Sequence, residues 1–368
     1  MMWNLVSAVH DTVGIRHLLE TNTDETGPLQ RVFAQLVLDP DPDYSIIEDS
    51  LENIGQRASL IWWLGYSFKD PEAIEEIARP LDSPETSSHN RDLARINRQF
   101  ALSARGQVAK SDSIGLAMDE FWGEALIDRV MRSMVPMFNP TREELLALRS
   151  QVLAWDTTTQ FVSPSSVNEG HYGEIRALLL GSLAARLGDT PELQRHLIYL
   201  GAKPDARTPG ESPFVFLKTL RAIDAWFRRQ DEQVLVELEN AQMYTNDVCA
   251  MCSRVHAQTI NRFMRAEIMY SRGQYDEALR WYNSLWDGYL SWGADHLGTT
   301  YLRTAAILEE RGQTQEAAQY YAKFVDLWKD SDPRYQEMVQ QARDREQQIR
   351  TGQFAEGGQL IIPAIPSE

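Results

Sequence analysis

The sequence predicts an all-α fold, an α-solenoid built of helix-turn-helix repeats. Three observations carry that expectation. Near the C-terminus, the segments RGQYDEALRWY (Arg272–Tyr282) and RGQTQEAAQYY (Arg311–Tyr321) align without gaps. Weaker copies upstream centre on Gly188 and Arg229, so turns at 188, 229, 273 and 312 recur at intervals of 41, 44 and 39 residues. No strand pattern survives comparison with the helical one. A hairpin of two helices cannot bury its apolar stripe alone, so recurring hairpins must stack on one another.

Residues 1–155 read as degenerate helical hairpins. Turn signals stand at Phe68–Ala73, Arg105-Gly106 and Asn139–Glu144, and Asp82–Asn90 is a loop by composition. Asp156–Gly170, with Thr157-Thr158-Thr159 and Ser163-Pro164-Ser165-Ser166, is the expected boundary. Residues 171–350 hold the clearer repeats, with a long connection over Gly201–Pro213. Gly188, Gly273 and Gly312 fall where a helix must end in a left-handed residue, which costs glycine little. Ala266 and Ala278 in one copy, and Ala305 and Ala317 in the next, let paired helices approach closely. Tyr282 and Tyr321 follow each second alanine by four residues, on the same helical face. Residues 351–368 form an extended, proline-containing apolar tail that no helix can include.

Composition narrows the function. Lys and Arg number 36 against 53 Asp and Glu, a formal charge of −17, which repels nucleic-acid backbones and anionic lipid. A hydrophobic fraction of 43% is enough for a real core. Two cysteines three residues apart are no disulfide framework. The N-terminus lacks a basic region followed by an apolar run, and no stretch approaches the roughly 18 apolar residues of a spanning helix. The expectation is a soluble cytoplasmic protein without direct membrane insertion, able to attach peripherally through a membrane protein.

The alanine, glycine and tyrosine spacing resembles the tetratricopeptide repeat (TPR), although the intervals exceed its usual length of about 34 residues. The segment Arg303–Arg345, with AAILEERG over 305–312 and YAKFVDLWKDSDP over 321–333, is more specific. It is similar to the C-terminal repeat region of large bacterial multidomain serine/threonine kinases and related regulators. That resemblance implies an all-helical solenoid that binds proteins. In those proteins a catalytic or DNA-binding domain precedes the array. Here there is no Gly-rich phosphate loop, HRD-type catalytic loop or DFG, so kinase activity does not carry over.

Motifs for other chemistry are also missing: no Walker-type loop, no dinucleotide fingerprint, no His-Glu-x-x-His and no Gly-x-Ser-x-Gly. Cys249, Cys252 and His256 have the spacing to share one helical face and are the sole metal candidates. A structural zinc site needs four ligands, and no second cysteine pair completes one. The plainer reading is two small residues at the start of a repeat helix. No cofactor, metal or catalytic residue is therefore assigned, and the chain is read as non-enzymatic. His10 and His17 read as solvated, and His171, His196 and His296 as loop or packing residues. The pairs Glu75-Glu76, Glu143-Glu144 and Glu309-Glu310 read as solvated helix faces.

Partner contacts are expected from the apolar ends and from aromatic residues. In the tail these are Leu360, Ile361, Ile362, Pro363 and Ile365, and at the N-terminus Trp3 beside Met1-Met2. Trp62 and Trp63 cannot both face the same side of a helix, so at least one lies off the core stripe and is a candidate anchor. Trp281, Trp286 and Trp292 are further candidates, with packing between hairpins as their plainer role. The partners that suit a −17 chain are proteins with basic loops. The expected function is a scaffold, a structural subunit of a larger complex. One concrete version is a membrane-extrinsic subunit of a photosynthetic reaction-centre and light-harvesting complex, which no motif indicates. The alternative is a regulatory interaction module of a bacterial kinase or transcription signalling system.

Overall fold

The computed structural model describes residues 12–21, 27–39, 43, 45–47, 56–57, 60, 71–158, 171–243, 254–285 and 290–352. Among these residues every regular element is helical and none is a strand. Among the described residues the first helices are α1 (Thr12–Thr21), α2 (Pro28–Leu38), α3 (Pro71–Ala78), α4 (Ser88–Ala104), α5 (Val108–Leu116), α6 (Trp122–Ser133) and α7 (Arg142–Ala154). Four hairpins follow. They are α8 (Tyr172–Arg186) with α9 (Thr190–Gly201), α10 (Ser212–Phe227) with α11 (Asp231–Glu239), α12 (Thr259–Ser271) with α13 (Tyr275–Ser284), and α14 (Leu297–Glu310) with α15 (Thr314–Trp328). A last helix, α16 (Gln336–Thr351), packs along α15.

Each hairpin turn is made in the same way. Gly188, Arg229, Gly273 and Gly312 have φ of +71°, +59°, +69° and +71°. The next residue's amide reaches back five positions: Asp189 to Ala184 O, Gln230 to Ala225 O, Gln274 to Met269 O and Gln313 to Leu308 O, all at 2.8–2.9 Å. This back-bond satisfies a carbonyl that the helix end would otherwise leave open. Gly106, with φ +70° and Gln107 bonded back to Leu102 O, makes a fifth copy between α4 and α5. Arg229 holds the left-handed conformation without being glycine, at a cost of about 1–2 kcal/mol.

Helix starts are also local events. Thr141 and Glu144 form a reciprocal capping box at α7, with the Thr141 amide 2.7 Å from Glu144 Oε2. Asp189 caps α9 through the Glu192 amide. The buried Asp92 carboxylate on α4 accepts the amides of Asp119, Glu120 and Phe121, which fixes the turn into α6.

Packing follows chain order. From α3 to α10 each helix lies against its successor, and α8 also packs on α10. Further on, α11 packs on α12, α13 on α14 and α14 on α15. The repeat alanines Ala266, Ala278, Ala305 and Ala317 are completely buried, as is Tyr282, and Tyr321 nearly so. Trp155, Trp226 and Trp328 are core residues, and Trp281 is half-buried against the same core. One hydrophobic cluster takes in residues between Leu126 and Ile349, with members from the helices on both sides of the expected boundary. A second cluster gathers Ile15, Phe33, Phe100 and Phe121 and takes in Ala294 from the far end of the chain.

That last contact belongs to a junction between distant segments. The 3₁₀ segment Leu290–His296 lies on α4. The Asp332 amide donates to Gly106 O at 3.0 Å, and Tyr335 Oη donates to Phe138 O at 3.3 Å. The Phe138 ring stands 5.9 Å from Trp328 and 6.1 Å from Tyr335. The final hairpin is therefore tied to α4–α6. No helix among the described residues is long and apolar enough to cross a membrane.

Candidate functional site

The most chemically dense region is where these distant segments meet. Helix α6 carries Glu124, Asp128 and Arg132 at steps of four, one stripe along one face. All three are buried, amid Ala125, Leu126, Ile127, Val130 and Met131. A charged stripe inside an apolar core must find partners from other elements. Asp128 accepts from Gln99 Nε2 of α4 at 2.7 Å and from Arg132 Nη1 at 2.9 Å. It also lies 2.8 Å from Arg254 Nη2, an ion pair without hydrogen-bond alignment.

Arg254 is itself wholly enclosed, with its guanidinium 5.2 Å over the Phe100 ring. Its Nη1 is paired with Asp295, which also accepts from Ser103 Oγ. Arg132 reaches Ser103 Oγ at 3.2 Å and closes on Asp112, which also holds Arg129 Nε at 3.3 Å. Four segments are thus riveted by charge: α4–α5, α6, the turn before α12, and the residues before α14.

Burial sets the protonation of this centre. It pushes Asp128 up to about 6, against the pull of Arg254. It pushes Glu124 well above the usual carboxylate range, and neither Glu124 oxygen has a partner among the described residues. Asp295 is raised by burial too, but Arg254, Arg132 and Ser103 outweigh that, so its net shift is downward. Glu124 is thus the neutral member, while Asp112, Asp128 and Asp295 face Arg129, Arg132 and Arg254.

A cavity of about 300 Å³ opens beside this centre, lined by Asp112, Arg129, Arg132, Phe138, Arg334 and Tyr335 among others. Each of its guanidinium groups has a carboxylate: Asp112 serves Arg129 and Arg132, and Glu144 takes both nitrogens of Arg334. Matched charges of this kind hold the chain together and leave little for a ligand.

Of the metal candidates, His256 is described; Cys249 and Cys252 lie outside the described residues. His256 is buried, edge-on to Phe216 at 5.6 Å, and burial lowers it to about 4, so the ring is neutral. No group of three potential metal ligands occurs among the described residues. His296 stacks on Phe263 at 4.6 Å and is held down to about 3 by burial. His196 bonds Glu192 at 2.9 Å, and His17 is exposed. The expected partner anchors Leu360, Ile361, Ile362, Pro363, Ile365, Trp3, Trp62 and Trp63 all lie outside the described residues.

The acidic pairs require correction. Glu75 is not on a solvated face: it is 2% exposed and grips Arg98 Nε at 2.8 Å. Burial raises its carboxyl, and Arg98, Lys110 and Arg79 bring it below the ordinary value. Glu144 is engaged by Thr141 and Arg334, and Glu309 accepts from Tyr321 Oη at 2.5 Å and Arg345 Nε at 2.8 Å. Adjacent residues on a helix point about 100° apart, so one member of each pair can turn inward to an arginine of another element.

No protein-family model, curated protein or solved structure matches this chain.

Proposed function

We propose that the chain is a non-enzymatic scaffold, an α-solenoid of TPR-like repeats that binds other proteins as a structural subunit of a larger complex. The observation that carries this reading is the recurrence of contacts from one hairpin to the next. At the last two turns the arginine before the turn reaches the first turn of the preceding hairpin's second helix: Arg272 to Glu232 at 2.9 Å and Arg311 to Asp276 at 2.6 Å. Deeper, Arg303 grips Glu267 and Arg345 grips Glu309, each pair 36 residues apart. Stability built from neighbour to neighbour is the mark of a repeat array, whose extended faces suit protein binding.

The charge of −17 adds long-range attraction for partners with basic loops, followed by apolar fixation. The test is purification of the tagged chain from its own cells at low and raised salt. A few proteins at fixed ratio, shed as salt rises, support the scaffold; a free monomer at every salt concentration overturns it. A partner that carries a kinase or DNA-binding domain would move the assembly to signalling.

A further inference from the structure

His296 ends the 3₁₀ segment Leu290–His296 and is buried beside the charged centre. Its ring stacks on Phe263 of α12 at 4.6 Å, with 21° between the planes. Its Nδ1 is buried without a hydrogen-bond partner. An imidazole enclosed in this way is stable only while neutral, because the cation would lose its water and gain no acceptor. Burial holds the ring down to about 3; Asp295 pulls the other way, and Arg254 and Arg262 add to the effect of burial.

Among the described residues, three side chains hold this segment in place. Ala294 is fully buried in the cluster that contains Phe100, Ala101 and Ala104 of α4. Asp295 accepts from Ser103 Oγ and pairs with Arg254. His296 adds the stack on Phe263. The hydrogen bonds within a 3₁₀ turn are poor, so the segment depends on these contacts. A segment fixed by so few groups opens locally, well before the whole fold does.

We propose that Leu290–His296 is an acid-released strap: protonation of His296 frees the segment from α4 and α12, and Asp295 leaves Ser103 and Arg254 with it. The open strap uncovers the apolar seat on α4 and removes one of the charge ties that rivet the distant segments.

The sign follows from the burial of a neutral ring. The ordinary histidine value is 6.5, and the enclosed ring lies near 3, so the open strap takes up the proton first as pH falls. Opening therefore gains about tenfold per pH unit below 6.5. The other groups at the strap act differently. Asp295 lies below the ordinary carboxylate value despite its burial, held there by Arg254 and Arg132, so its pairing lasts into stronger acid. Burial keeps Glu124 protonated throughout. Asp128 is raised to about 6 by burial and by Asp295, so its proton favours the closed strap and opposes His296 in part. His256, two residues from Arg254, titrates in the same range as His296. A comparison with a variant that lacks only the His296 proton isolates its share.

Hydrogen exchange of the full chain, read by mass spectrometry over residues 290–300 and over α8 and α15, tests the strap at about pH 7 and about pH 5. After correction for intrinsic rates, strap opening in the wild type relative to His296→Gln is expected to rise about thirtyfold between the two. His296→Phe keeps an aromatic ring on Phe263 and is expected to match His296→Gln, which separates a lost proton from a disturbed seat. In the wild type alone, strap protection is expected to fall at the lower pH while α8 and α15 stay protected. Equal loss of protection in α8 and α15 would mean unfolding of the whole chain and overturns the proposal. So does strap protection in the wild type that is no lower at about pH 5, or that follows both variants at each pH.

Discussion

Trp328 Nε1 donates to the Ala104 carbonyl oxygen at 2.8 Å, joining the end of α15 to the end of α4 across 224 residues of sequence. The indole fits because two glycines make room for it. A β-carbon on Gly106 would lie 2.8 Å from Trp328 Cε3, and one on Gly298 would lie 2.7 Å from Trp328 Nε1. The tie between the last hairpin and the N-terminal helices thus depends on one aromatic side chain and two positions without side chains.

Gly298→Ala is expected to destabilise by about 1–3 kcal/mol, the usual cost of overpacking a closed site. Gly312→Ala meets nothing within 4 Å and carries only the left-handed backbone cost, about 1 kcal/mol. Trp328→Phe leaves the Ala104 carbonyl unpaired, at about 1–3 kcal/mol. Urea unfolding measures all three, and Gly298→Ala no worse than Gly312→Ala would contradict the packing described.

Within the buried centre, Glu124 and Asp295 behave oppositely. Glu124 is protonated in place, so Glu124→Gln changes stability at neutral pH by under about 1 kcal/mol. Asp295→Ala leaves two buried arginines, Arg254 and Arg132, short of one carboxylate and the Ser103 hydroxyl without its acceptor, and costs about 3–5 kcal/mol. Equal losses in chemical denaturation would show that Glu124 is charged.

The glutamate between the last two hairpins is expected to matter as much. Glu267 accepts from Tyr282 Oη and receives Arg303 Nη2 at 2.7 Å. Glu267→Ala leaves a buried hydroxyl and a buried guanidinium unpaired, with an expected loss of about 3–5 kcal/mol. Arg311→Ala, whose partner Asp276 is well exposed, costs only about 0.2–1 kcal/mol. Thermal unfolding of the two variants separates the deep contact from the surface one.

His256 sets an acid limit. Its folded value is about 4, below the ordinary 6.5, so the unfolded chain takes up the proton first as pH falls. Its contribution is fully present above pH 6.5 and is lost down to about 4. Asp128, raised to about 6, acts with the opposite sign, so the whole-protein curve is flattened and a difference is the clean readout. The stability gap between wild type and His256→Gln should narrow by about 1.4 kcal/mol per pH unit over that window, about 3 kcal/mol in all. A gap independent of pH would contradict a neutral, buried His256.

Local events were legible in the sequence. The turns at 188, 229, 273 and 312 announce themselves because a left-handed helix end prefers glycine and because the interval recurs. The buried alanines and tyrosines follow from the same register. Long-range pairing was not legible: nothing in the spacing of Asp128, Arg254 and Asp295 says that they meet. The available sign was the Glu124, Asp128, Arg132 stripe, charges at steps of four on the apolar helix α6. The same limit explains the acidic pairs, since a glutamate on a charged helix looks solvated until another element brings an arginine to it. The first cysteines of the candidate metal set and the apolar ends lie outside the described residues.

The recurring hairpins are proposed to form a surface for holding other proteins. The most direct measurement is the mass of the native assembly containing the tagged chain, by light scattering after gentle extraction, at low salt and again at about 1 M, where screening shortens charge attraction to roughly 3 Å. The scaffold account predicts a complex of fixed composition well above the 42.1 kDa of the chain, which dissociates as salt rises. A 42.1 kDa monomer under both conditions would contradict it.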